Sequence, residues 1–253
     1  MTTTPLPRRL LAELLGSAFL AALVIGSGIA AQRLSPNQIG LELFENAAAT
    51  AVGLFAIILM FGPVSGGHFN PVVSFVDAHF AGISHRDALA YLPAQIAGCI
   101  LGAITANLMF SLTAVSISTH HRSSPAHFFS EVIATLGLIV IIVALARTRR
   151  STITPAAVGA YIGAAYFFTS STSFANPAIT IGRVFSDTFA GIAPASVPAF
   201  VIAQALGGAV AVLVVRTLYP DVTPEDAATV LLPHQRDRSD PAEADSGLVA
   251  QGS

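Results

Sequence analysis

Two short stretches, Asn70-Pro71-Val72 and Asn176-Pro177-Ala178, each join a side chain that can cap a helix to a residue suited to the first helical position. Each therefore predicts a helix start. A single Asn-Pro reads as a turn, but two copies in repeat-related, apolar surroundings read as a designed pair. From Asn70 to about Phe80, or from Asn176 to about Asp187, such a helix runs roughly 15 to 18 Å at 1.5 Å per residue, half of the roughly 30 Å of a bilayer core. Neither crosses alone. Brought together at their starts, they make one pseudo-span whose junction carries two positive dipole ends and unsatisfied N–H groups, repelling cations and protons. The amide N–H groups of Asn70 and Asn176 can then be offered to a passing solute while their oxygens cap the helices. The chemistry implied is a hydrogen-bonding waist, not a reaction.

The elements that must hold this waist are written in the composition. Of 253 residues, 53% are hydrophobic and 10% charged, with mean hydropathy +0.71, far more apolar than a soluble domain of this length. Six apolar runs, near residues 9–31, 40–61, 87–110, 127–146, 154–170 and 194–217, are candidate spans. The two halves, about 9–110 and 127–217, match one another: Glu13 and Glu131 sit early in the first span of each, and Ala94-Gln95-Ile96-Ala97-Gly98 pairs with Ala203-Gln204-Ala205-Leu206-Gly207 in the third. Three spans per half is an odd number, so the second copy enters the membrane from the opposite side as an inverted repeat. The predicted fold is an all-α membrane protein of six transmembrane helices and two re-entrant half-helices. Residues 1–218 form the channel domain; the acidic tail 219–253 is expected to be disordered and cytoplasmic.

Several classes are excluded on the same grounds. A net charge of −2 with no lysine provides no basic face for nucleic acid. The lone Cys99 forms neither an intrachain disulfide nor a cysteine-rich metal site. The apolar run after Arg8 and Arg9 is too long for a signal peptide and reads as the first span. His120, His121 and His127 fit a solvated loop better than a metal site. No Ser-His, paired-Asp or metal-ligand arrangement suggests an enzyme, and no cofactor is implied. A secondary transporter also uses inverted repeats and broken helices, but needs coupling-ion ligands in its spans. Arg8, Arg9, Arg86, Arg147, Arg149 and Arg150 fall on one side of a six-span topology, against Arg33 and Arg122, which places both termini in the cytoplasm.

Ser65-Gly66-Gly67-His68-Phe69-Asn70-Pro71-Val72 and Ser173-Phe174-Ala175-Asn176-Pro177-Ala178 resemble the paired signatures of the aquaporin and aquaglyceroporin family over about residues 9–218. The resemblance implies a passive channel for water, glycerol-like polyols and other small uncharged solutes, assembled as a homotetramer in the lipid bilayer; a closed, adhesive member is the structural alternative. It implies that Glu13, Glu131 and His68 brace the re-entrant loops. Where the family usually has Arg, three residues after the second motif Asn, this chain has Ile179. The family's spacing puts the other constriction positions at Thr50, Ala164 and Ser173, so a wide, weakly polar outer filter is expected. Arg183 reads either as a surface ion pair with Asp187 or as a displaced arginine at the outer vestibule, and Asp77 holds its repeat-equivalent place. The run from Phe174 to Pro194 resembles a bacterial subgroup associated with arsenic resistance, which implies metalloid or methylated-arsenical solutes and a bacterial inner (plasma) membrane.

Overall fold

The computed structural model describes residues 4–220, where the chain is helical and no β-strand occurs among the described residues. The long helices are α1 (Leu6–Leu34), α2 (Ile39–Ser65), α4 (His85–Met109), α5 (Pro125–Arg147) and α8 (Val197–Leu218), all apolar and long enough to cross a bilayer. The sixth, α6 (Thr154–Phe168), has only 15 residues, shorter than the expected 154–170 span. A 3-10 turn, Ser151–Ile153, runs into its start. Together they reach roughly 28 Å, at about 1.5 Å per α-helical and 2.0 Å per 3-10 residue, which suffices for a thin or locally adapted crossing. Two short helices complete the set: α3 (Pro71–His79), and α7 (Pro177–Gly182), which continues as a 3-10 turn over Arg183–Phe185. Apart from Tyr219 and Pro220, the expected acidic tail lies outside the described residues.

The repeat is carried by packing. In the first half α1 lies against α4, in the second α5 lies against α8, and α2 meets α6 across the halves. Small residues let the backbones approach, as membrane helices require in the absence of a hydrophobic drive between them. A methyl at Gly98 would sit 2.2 Å from the Leu14 carbonyl oxygen, and one at its repeat mate Gly207 would sit 2.5 Å from that of Val132.

The burial pattern is inside-out relative to a soluble protein. Leu11, Phe19, Val52, Leu101, Phe129 and Leu213 face outward, while Glu13, Gln95, Glu131 and Gln204 are fully enclosed. Outward apolar side chains on long helices are what lipid solvates, and enclosed polar groups then need internal partners. At the end where the chain starts, Arg9 of α1 donates to Asp87 of α4 at 3.0 Å, tying the two helix starts together.

Candidate functional site

The two half-helices meet start to start. Asn70 and Asn176 take extended backbone and cap their helices: Asn70 Oδ1 accepts from Val72 N at 3.0 Å, and Asn176 Oδ1 from Ala178 N at 2.9 Å and Ile179 N at 3.3 Å. Pro71 and Pro177 fill the first helical positions, where a missing N–H removes nothing. Their amide nitrogens reach across the junction: Asn70 Nδ2 donates to Ala175 O at 2.8 Å, and Asn176 Nδ2 to Phe69 O at 2.7 Å. One N–H of each amide is thereby used, and the second makes no hydrogen bond to the described residues. Phe69 and Ala175 both have φ 49°, a left-handed turn that aims these carbonyls across the junction. Val72 is accommodated because α8 carries Gly208 opposite it; a methyl there would lie 2.5 Å from Val72 Cγ1.

The glutamates hold the strained loops. Glu13 accepts from Ser65 Oγ (2.6 Å), His68 N (3.0 Å), Phe69 N (2.7 Å) and Gln95 Nε2 (2.7 Å). Glu131 accepts from Phe174 N (2.9 Å), Ala175 N (2.8 Å) and Gln204 Nε2 (2.6 Å). The glutamines continue the symmetry, Gln95 Nε2 donating to Ser74 Oγ and Gln204 Nε2 to Thr180 Oγ1. His68 meets Glu13 through its backbone N–H; its ring lies 3.0 Å from Ser74 Oγ and 3.3 Å from Asp77 Oδ2. Gln95 and Gln204 were not singled out as loop braces, although each is a repeated polar residue in an apolar span, a signal that could have pointed to an inward role.

Beside the junction runs a cavity of about 60 Å³, room for a short file of waters. One side, from the long helices, contributes Leu20, Val24, Leu54, Ile58, Leu138, Ile142, Val158 and Ile162 together with the hydroxyl-bearing Thr50 and Tyr166. The other carries Gly67, His68, Asn70, Ser173, Asn176 and Ile179. Gly67 has φ 69° and lies so near Gly62 that a Cβ would approach its Cα to 3.1 Å, so this wall needs glycine there.

Thr50, Ser173, Ile179 and Arg183 line the cavity, but Ala164 does not. It is exposed on the outer face of α6, and the α6 side chain turned toward Thr50 is Tyr166, whose hydroxyl is 3.2 Å from Thr50 Oγ1. The correction has a simple cause. Counting back from Asn176 assumes a loop of fixed length, and a two-residue difference rotates the chosen position by about 200° on a helix with 3.6 residues per turn. A phenol in place of a methyl removes one of the four small or uncharged side chains on which the expectation of a wide constriction rested; Ile179 in place of the usual arginine is unaffected.

The surface ion pair between Arg183 and Asp187 does not form. Asp187 accepts from Thr119 N at 2.8 Å and Thr119 Oγ1 at 3.1 Å. The Thr119 backbone N–H holds its carboxyl below the ordinary aspartate range. Arg183 is instead 2% exposed, with its guanidinium carbon 3.4 Å from the Phe174 ring centroid and its Nε donating to Ala190 O. His127, expected in a solvated loop with His120 and His121, instead lies in the first turn of α5, where Ser124 Oγ accepts from its N–H and its ring packs beside Phe200 with centroids 6.5 Å apart.

The family model of the major intrinsic protein matches residues 1–175. The chain belongs to the major intrinsic protein family. This channel is 45% identical over 219 residues to aquaglyceroporin AqpS of Rhizobium meliloti (strain 1021), an alignment covering 87% of this chain and 93% of that one. It is 28% identical over 221 residues to the probable aquaporin TIP2-2 of Oryza sativa subsp. japonica, covering 82% and 86%. The X-ray structure of the aquaglyceroporin from Plasmodium falciparum superposes with TM-score 0.66 at 20% identity, covering 86% of this chain and 99% of that one, a likeness of fold. The chain is thus a multi-pass integral membrane channel with an aquaporin-like fold.

Proposed function

We propose that the channel conducts small uncharged solutes passively, water and glycerol-like polyols first, past a hydrogen-bonding waist at Asn70 and Asn176. The observation that carries the reading is the mixed lining of the cavity: apolar side chains of the long helices together with the amides of Asn70 and Asn176 and the hydroxyls of Thr50, Tyr166 and Ser173. A polyol has hydroxyls along one edge and carbon along the other, so such a lining suits both. The name of the relative AqpS, an aquaglyceroporin, supports polyols as the solute class. Arsenite in its neutral trihydroxy form has the same hydroxyl display, and methylated arsenicals add an apolar edge suited to the apolar side chains.

Thr50, Tyr166, Ser173 and Ile179 form the outer filter in this reading, offering hydroxyls but no guanidinium at position 179. The chain sits in a bacterial inner membrane as a homotetramer, each subunit with its own pore and both termini cytoplasmic, with 219–253 as a separate cytoplasmic tail. Neither Glu13 nor Glu131 lines the cavity, and every carboxylate oxygen they carry is engaged by loop or glutamine N–H groups or by Ser65, which speaks against ion coupling.

The test is stopped-flow uptake of water, glycerol, urea and arsenite by vesicles containing the purified chain. Flux should follow the solute gradient alone. Accumulation above equilibrium under an imposed proton or sodium gradient would show a transporter instead, and absence of any flux a closed, adhesive member.

Placing Arg at position 179 tests the filter. Ile179→Arg adds a planar donor fork and volume on the pore wall, with Arg183 already one helical turn away. Glycerol and arsenite flux should fall at least about tenfold while water flux falls less, a barrier change of about 1.4 kcal/mol for the larger solutes. Assembled protein in which water and glycerol permeabilities keep their wild-type ratio would remove Ile179 from the filter.

A further inference from the structure

We propose that Arg183 is a relocated charge barrier: the channel separates cation exclusion, performed by Arg183, from size selection, performed one helical turn deeper at Ile179. The proposal rests on the conduction reading above. Arg183 is four residues beyond Ile179, which on a helix returns to the same face about one turn, or 5 to 6 Å, farther out. Both side chains line the cavity.

The anchoring of Arg183 leaves its working end open. The Phe174 ring lies under the guanidinium at 3.4 Å, and Ala190 O takes the Nε hydrogen. Phe174 is itself fixed, its N–H donated to Glu131 Oε1 at 2.9 Å and its ring against Phe200 with centroids 5.0 Å apart. The terminal nitrogens Nη1 and Nη2 make no hydrogen bond to the described residues, although the residue is 2% exposed. Four N–H donors of an enclosed cation are thus left without a protein acceptor, on a side chain that lines the cavity.

No carboxylate neutralises this charge among the described residues. Asp187 is turned to Thr119, and both oxygens of Glu131 are taken by Phe174, Ala175 and Gln204. Arg122 adds a second guanidinium near the same ring, 5.3 Å from its centroid, held by the carbonyls of Gly191 and Phe189. An enclosed, unpaired cation is costly unless water or a polar solute solvates it, which a pore supplies. A passing cation meets uncompensated positive charge in a low-dielectric surround, whereas a neutral polyol meets donors. Size selection then needs no arginine at position 179.

The experiment compares wild type, Arg183→Gln, Arg183→Lys and the double variant Ile179→Arg/Arg183→Gln in vesicles, reading glycerol uptake together with proton and sodium leak. Arg183→Gln should raise the cation leak at least tenfold, a change several times larger than any change in glycerol uptake. Arg183→Lys should leak no more than wild type, and the double variant should return toward the wild-type leak. A conducting Arg183→Gln with wild-type leak overturns the proposal. If Arg183→Gln does not assemble, Arg183→Lys decides: wild-type leak supports the charge barrier, and a tenfold leak or failure to assemble overturns it in favour of an anchor for Phe174 and Ala190. Absence of glycerol uptake by the wild type is a different result, and ends the conduction reading itself.

Discussion

Changing both Asn70 and Asn176 to aspartate is expected to cut water and glycerol flux at least about tenfold and to raise cation leak. The caps would survive, since a carboxylate oxygen accepts from Val72 N and Ala178 N as the amide oxygen does, and negative charge at a helix start is favourable. What is lost is the other side of each amide. The bonds to Ala175 O and Phe69 O become oxygen facing oxygen at 2.7–2.8 Å, and the remaining N–H, which in the proposed waist meets the solute, disappears. Each lost donor is worth about 1 to 3 kcal/mol when a buried acceptor is left unmade, enough for a tenfold effect from either site. Two carboxylates also reverse the electrostatic sign of the junction. Vesicle flux and proton leak on protein of wild-type oligomer size provide the check, and unchanged values for both would rule out the waist.

Glu131→Gln is expected to damage the fold more than the pore. Glu131 accepts three N–H groups within 2.6–2.9 Å, and an amide in its place must turn an NH₂ toward at least one of them. Bonds to a charged acceptor contribute about 1.5 to 3 kcal/mol each, so the loss should reach roughly 3 kcal/mol or more. Thermal unfolding in detergent should show it as a clearly lowered midpoint, with Glu13→Gln behaving similarly in the first half. The exchange Glu131→Gln/Gln204→Glu puts a carboxylate back beside the same loop and should recover part of the loss. If the single variant melts with the wild type, the loop is held by something other than this carboxylate.

Much of this was legible in the sequence because it is written twice. The Asn-Pro pairs, the glutamates and the glutamines recur at matching places, and an enclosed polar residue in an apolar span has few ways to be satisfied. Reading failed where the information is local geometry. Ala164 was placed by counting through a loop, and Thr172, Ser173 and Ala175 take positive φ there, a path that spacing alone does not encode. Tyr166 was missed for the same reason. Arg183 was legible as two alternatives; what decides between them is the Thr119 backbone, which claims Asp187 from a distant loop. The His68 and Asp77 approach was likewise hidden: both residues stand out in the sequence, but only the packing of α3 brings them to 3.3 Å.

The cross-junction bonds also set an order of events in making the molecule. Asn70 Nδ2 finds its acceptor 105 residues later in the chain, and Phe69 O its donor 107 residues later. During synthesis Asn70 is made more than a hundred residues before Ala175, so its amide has no partner across the junction until then. Contacts so distant in sequence close late, after local helices have formed. A junction variant is therefore expected to leave helix insertion intact while slowing the final closure, so that its nascent chains linger as membrane-integrated, protease-sensitive intermediates.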